Sequence, residues 1–141
     1  KYPLYSDDES GQLEADYCEI RLPEIIYSLA ECKLRQGDAA SAGRLLNEVR
    51  KRNYPSTDWN TALYTPEGAA KLDMKELLNE WGREFFAEGR RRVDLIRFEK
   101  FLDAWWDKDA DVDNHTLIFP FHREILGANK YLKQNPGYNE K

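Results

Sequence analysis

The sequence is poor in the groups that define several common protein classes. It holds two cysteines, Cys18 and Cys32, among 141 residues, and no Cys/His spacing fits zinc. Two readings of the thiols stay open: a pair in an oxidising compartment, or two small, mostly buried side chains, with only Cys32 on an apolar helix face. No apolar run approaches the roughly 18–20 residues of a spanning helix, and no basic–apolar–small leader opens the chain. Basic residues are not in excess. The 21 Lys and Arg face 26 Asp and Glu, for a net charge of −5, which disfavours a nucleic-acid-binding face. There is no G-x-S-x-G, P-loop, dinucleotide fingerprint or HExxH. The first residue is Lys1, not Met, which leads us to expect either a trimmed chain or the tail of a longer protein.

What is present reads as one globular domain over residues 1–141, 41% apolar and 33% charged. The fold class is all-α. Residues 1–20 look like an extended arm. Leu22, Ile25, Ile26, Leu29 and Cys32 then recur at helical spacing, predicting a helix from about Leu22 to Arg35 with Pro23 in its first turn. Tyr27, Ala30 and Leu34 form a second, weaker flank that needs a neighbour. Gly37-Asp38 closes this helix and caps a second, with Ala42, Leu45, Leu46 and Val49 on one face. Small residues between them (Ala30, Ala39, Ala42, Gly43) suit close backbone approach. The pair, about 21–52, forms a TPR-like αα-hairpin.

A long irregular stretch follows, Asn53 to Leu72, in which "TPEGAAKL" could form a short helix capped by Thr65. Two further long helices are expected over about 73–106. One starts at the "DMKE" capping box, carries Met74, Leu77, Leu78, Trp81 and Phe85 on one arc, and ends at Gly89. The other runs from about Arg91 to Trp106 with Leu95, Phe98, Leu102, Trp105 and Trp106 together. Residues 107–141 read as an acidic loop and an irregular tail with one helical turn near Arg123–Leu126.

The stretch "EFFAEGRRRVDLIRF" sets carboxylates and guanidinium groups among apolar side chains. At about 100° per residue Glu88 falls inside the apolar arc and Glu84 at its edge. A buried carboxylate needs a partner, so Glu84, Glu88, Arg91, Asp94 and Arg97 are expected to form a structural ion-pair framework, with Glu88 buried against Arg91 or Arg97. Two carboxylates at i, i+4 also invite a glycosidase reading, but both approach a sugar from one side, so no catalytic residue is assigned.

Asp107, Asp109, Asp111 and Asp113 mimic alternate positions of a calcium loop, but Val112 replaces the required Gly and Ile118 the terminal Glu. No metal site is assigned, and no cofactor. His115 and His122 read as surface or hydrogen-bonding residues. Trp81 and Trp105 fall on apolar faces and read as core. Trp59, Tyr64 and Tyr54 lie in the long loop and are the candidate glycan-binding residues, because an exposed ring stacks on the C–H-rich face of a pyranose. The same rings could instead fold down as a lid.

Three segments together carry a family resemblance. They are "RLPEIIYSLAECKLRQGDAASAGRLLNEVRKR", "NEWGREFFAEGRRRVDLIRF" and "HTLIFPFHREILGANKYLKQNPGY". Their order resembles the C-terminal portion of SusD/RagB-like proteins. Departures are Pro23 where the family has Ala, Arg92 where it has Trp, and "FPF" in place of P-I-P. The resemblance implies a non-catalytic, glycan-binding lipoprotein of the outer membrane, exposed at the cell surface. It implies capture of oligosaccharide or polysaccharide for uptake with a SusC-type TonB-dependent transporter, the lipid anchor lying outside this chain. The acidic balance argues for no nucleic-acid partner, and no family glycan residue transfers to a numbered position here. The rival readings are a TPR-like protein-interaction module without sugar binding and a small glycoside-processing enzyme. Neither the glycan nor the transporter is legible.

Overall fold

Helix α1 spans Leu22–Arg35, at the predicted boundaries, and α2 spans Ala39–Arg50, two residues short of the expected end of the hairpin at 52. Proline occupies the first turn of α1, where its missing N–H costs nothing. Gly37 sits at φ 85° between the helices, and Asp38 caps α2 by accepting from Ser41 N at 3.0 Å. That bond holds the Asp38 carboxyl below the usual carboxylate range. The computed structural model describes residues 18–139; the expected arm lies, up to residue 17, outside them. The chain divides into two compact units, Lys1–Leu77 and Leu78–Lys141.

In the first unit α1 packs on α2. The buried positions of α1 are Tyr27, Ala30 and Glu31, so the flank that looked weaker is the packed one. The stronger apolar stripe faces outward: Leu22 is 70%, Ile25 57% and Leu29 49% exposed. Both cysteines are exposed thiols, which corrects the buried reading. Gly43 serves the loop rather than the helix pair, since a methyl group there would run into the Thr65 carbonyl.

The loop after α2 forms a 3-10 turn at Ser56–Asp58 and a short helix α3, Trp59–Ala62. The expected helix at Thr65 does not form. Thr65 N instead donates to Ala70 O at 3.1 Å, and Ala70 N to Leu63 O at 3.0 Å, closing a loop around the cis Thr65–Pro66 bond. Asp73 caps the next helix, α4 (Met74–Glu84), by accepting from Glu76 N at 2.7 Å.

The unit boundary falls within α4. Leu77, Leu78, Trp81 and Phe85 are all buried, as the arc predicts. The helix stops at Glu84, five residues before Gly89, because the chain turns through a left-handed Ala87 (φ 64°). α5 is short, Arg91–Arg97, and a left-handed Glu99 (φ 57°) ends the run that periodicity extended to Trp106. Phe98, Leu102, Trp105 and Trp106 therefore do not continue a helical face. Trp105 is 37% and Trp106 95% exposed, correcting the core reading of Trp105.

The tail carries a 3-10 turn at His115–Leu117 and α6, Arg123–Ala128. Its amide side chains buckle it. Gln134 accepts from Phe121 N at 2.8 Å and donates to Phe121 O at 3.0 Å. Asn135 donates to Phe119 O at 2.7 Å and the Tyr138 hydroxyl to Ile118 O at 2.7 Å. The Q-N-P-G-Y run is thus a fastening. Among the described residues no helix is long and apolar enough to cross a membrane.

Candidate functional site

The first candidate site is the loop after α2, and it is organised by a stripe on that helix. Gly43, Asn47 and Arg50 lie at i, i+4, i+7, one face of a helix, and all are buried. Asn47 accepts from Tyr64 N at 2.8 Å and donates to Tyr64 O at 2.8 Å. Its side-chain amide thereby substitutes for a neighbouring strand. It also donates to Glu67 Oε2 at 2.9 Å, while Lys51 Nζ reaches Glu67 Oε1 at 2.9 Å. These two donors lower the Glu67 carboxyl below its ordinary range, the lysine contributing most.

Arg50 donates twice to Ala62 O, at 3.0 and 2.6 Å, and its guanidinium lies 4.4 Å over the Tyr64 ring. The Tyr64 hydroxyl accepts from Arg50 at 3.2 Å and donates to Glu76 at 2.8 Å. Tyr64 is only 1% exposed. It offers no ring face to a sugar and is a core residue, the lid role that the same rings left open. Tyr54 and Trp59 are half-buried. The Trp59 indole donates to Tyr54 O at 3.1 Å, and Lys51 Nζ stands 5.2 Å from its ring centroid. Trp59 is fixed in orientation with a cation at one edge or face, and the rest of its surface is partly open.

The charged stretch belongs to the second unit. Its hub is Asp94, fully buried. Arg90 bonds it at 3.0 and 3.3 Å, and Arg97 at 3.4 Å. Arg90 also lies 4.1 Å over the Trp81 ring. Arg91 turns elsewhere, donating to Leu78 O at 2.7 Å; burial pulls its pKa below the usual arginine value, and Asp94 partly restores it. In this unit Glu80 is buried and pairs with Arg83 at 2.7 Å. Glu84 and Glu88 are half-buried. The wheel that buried Glu88 fails because α4 has already ended. Arg90 was missed, though it stands four residues before Asp94, the spacing of a helical ion pair.

Arg92, where the resembled family has Trp, is held between Phe101 and Phe119 at 4.8 and 4.1 Å. It donates to Thr116 O at 2.7 Å and Leu117 O at 3.1 Å. His115 pairs with Asp113 and meets Tyr138 edge-on at 4.8 Å. Two N–H groups of His115 lower the Asp113 carboxyl, the backbone one most. Among the described residues no group of three or more His, Cys, Asp or Glu is placed to hold a metal.

The family model described as "SusD family" matches residues 4–121. The chain belongs to the SusD family. It is also 32% identical, over 98% of its length, to the starch-binding protein SusD of Bacteroides thetaiotaomicron. The alignment covers 25% of that protein, so this SusD-family chain spans about a quarter of its relative's length. The all-α architecture with a TPR-like hairpin agrees with the membership. Pro23, Arg92 and the "FPF" run are accommodated without a change of fold class.

Proposed function

We propose that this chain is one SusD-like domain over residues 1–141. In this reading it is the C-terminal portion of a longer, surface-exposed outer-membrane lipoprotein. It binds glycan without catalysis and serves oligosaccharide uptake with a SusC-type TonB-dependent transporter. The observation that carries this reading is the 32% identity across nearly the whole chain to a protein named for binding starch. Within the first unit Trp59, with Tyr54 beside it, is the remaining candidate contact. It is held in place by a backbone bond and flanked by a cation. Chemistry by Glu84 and Glu88 has no support, since they follow one another on a helix end and the turn after it.

The experiment is calorimetric titration of the chain with neutral and anionic oligosaccharides, alongside analysis of the sugars for cleavage. Binding with intact sugar is expected. Shortened products would overturn the non-catalytic reading, and absence of binding would overturn glycan contact by this segment. A second reading, a TPR-like protein-interaction module, is favoured by the outward stripe of Leu22, Ile25 and Leu29, since exposed apolar patches mark interaction surfaces.

A further inference from the structure

The acidic loop that fails as a calcium site holds a more defined object, a two-residue turn with a tryptophan at its tip. Trp105 N donates to Lys108 O at 2.8 Å and Lys108 N to Trp105 O at 3.2 Å, leaving Trp106 and Asp107 as the turn. The turn is braced from below. Asp111 N donates to Leu102 O at 2.9 Å. Lys108 Nζ bonds Asp103 O at 3.3 Å, Asp109 O at 3.1 Å and the Asp111 carboxylate. The Arg91 guanidinium stands 5.6 Å from the Trp105 ring centroid. Trp106 is 95% exposed, on backbone that is already ordered.

We infer that this turn is a carbohydrate-contact platform separate from Trp59, on which the open indole face of Trp106 stacks against a pyranose ring of a neutral glycan. The inference rests on the glycan-binding reading above. An indole offers a large, rigid face at low rotamer cost, and a braced turn loses little further freedom on binding. The charge around it sets the ligand class. Asp107 and Asp109 are exposed and supply carboxylate acceptors for sugar hydroxyls. Of the cations near the turn, Lys108 is committed to Asp111 and Arg91 donates to Leu78 O. The local field therefore repels uronate and sulfate groups and tolerates neutral sugars.

The test is calorimetry on the whole chain with maltoheptaose, cellohexaose and xylohexaose as neutral probes and hexagalacturonate as the anionic one. Wild type is compared with Trp106→Ala, Trp106→Phe and Trp59→Ala. Because Trp106 is exposed, its variants should keep the wild-type melting temperature. Trp106→Ala should weaken the best neutral ligand about fivefold, the worth of roughly one aromatic contact, and Trp106→Phe should retain most of the affinity. Wild-type affinity in Trp106→Ala overturns the platform; if Trp59→Ala then binds weakly, the broader reading stands. Tighter binding of hexagalacturonate overturns the neutral class. No binding of any probe by the wild type overturns both.

Discussion

The two units hold their irregular segments in different ways. In the first, a neutral side chain is central: Asn47 pairs with both backbone groups of Tyr64, and the loop Asn53 to Leu72 is drawn onto a helix. In the second, charges are central: Asp94 gathers Arg90 and Arg97, and Arg92 gathers two carbonyls and two rings. A buried amide is satisfied only in one geometry and fixes the loop's register. Guanidinium groups keep part of their surface in water and tolerate more variation. The first unit should therefore be more sensitive to loss of one polar group.

The largest expected effect is at Asn47. Asn47→Ala removes three hydrogen bonds of a fully buried amide, to Tyr64 N, Tyr64 O and Glu67, at about 3 kcal/mol together, although the Tyr64 C=O keeps the Glu67 and Gly68 N–H groups. Urea unfolding measures it, and a midpoint close to wild type would erase the distinction between the units. Next is Asp94→Ala, which removes a fully buried carboxylate from two arginines that are themselves part-exposed. The cost is about 2 kcal/mol, below that of a wholly buried pair. Glu88→Ala should cost less than Asp94→Ala in the same assay; the reverse order would restore Glu88 as the hub.

Arg92→Lys keeps the charge but loses the planar fork and the stacking. About 1 kcal/mol is expected, together with faster amide hydrogen exchange across the 115–121 segment and no change around Tyr64. The smallest effect concerns pH. Glu67 is held below its ordinary pKa by Lys51 and Asn47. A carboxylate depressed in the folded state contributes above its unfolded pKa and stops contributing as pH falls through the folded value. Wild type should thus lose its advantage over Glu67→Gln on acidification below the usual glutamate range. The difference is small, because the pair is partly exposed. Melting curves that stay parallel at all pH values would show that Glu67 does not titrate in the loop clamp.

The hairpin was legible because its signals are local: Pro23, Gly37, Asp38 and apolar spacing act within a turn or two of each other. The choice of buried face on α1 was not, since periodicity measures amphipathicity and not which neighbour is available. The ends of α4 and α5 were lost to Ala87 and Glu99, residue types that give no left-handed signal in sequence. Trp106 was misplaced with them. In the candidate loop the aromatic residues were legible by type, but Tyr64's burial depends on Asn47, 17 residues away. The spacing Gly43, Asn47, Arg50 was the available clue.

The clamp at Arg92 also decides how the tail responds to its surroundings. A guanidinium stays protonated throughout the range in which proteins remain folded. The attachment of Thr116 and Leu117 is therefore indifferent to acidification. The neighbouring Asp113 carboxylate is held below its ordinary range, by the His115 backbone N–H first and by its ring second. A single stretch of tail is thus moored at two adjacent points, one by a guanidinium and one by an aspartate. With the Asp113 carboxyl lowered, mild acid leaves both moorings in place.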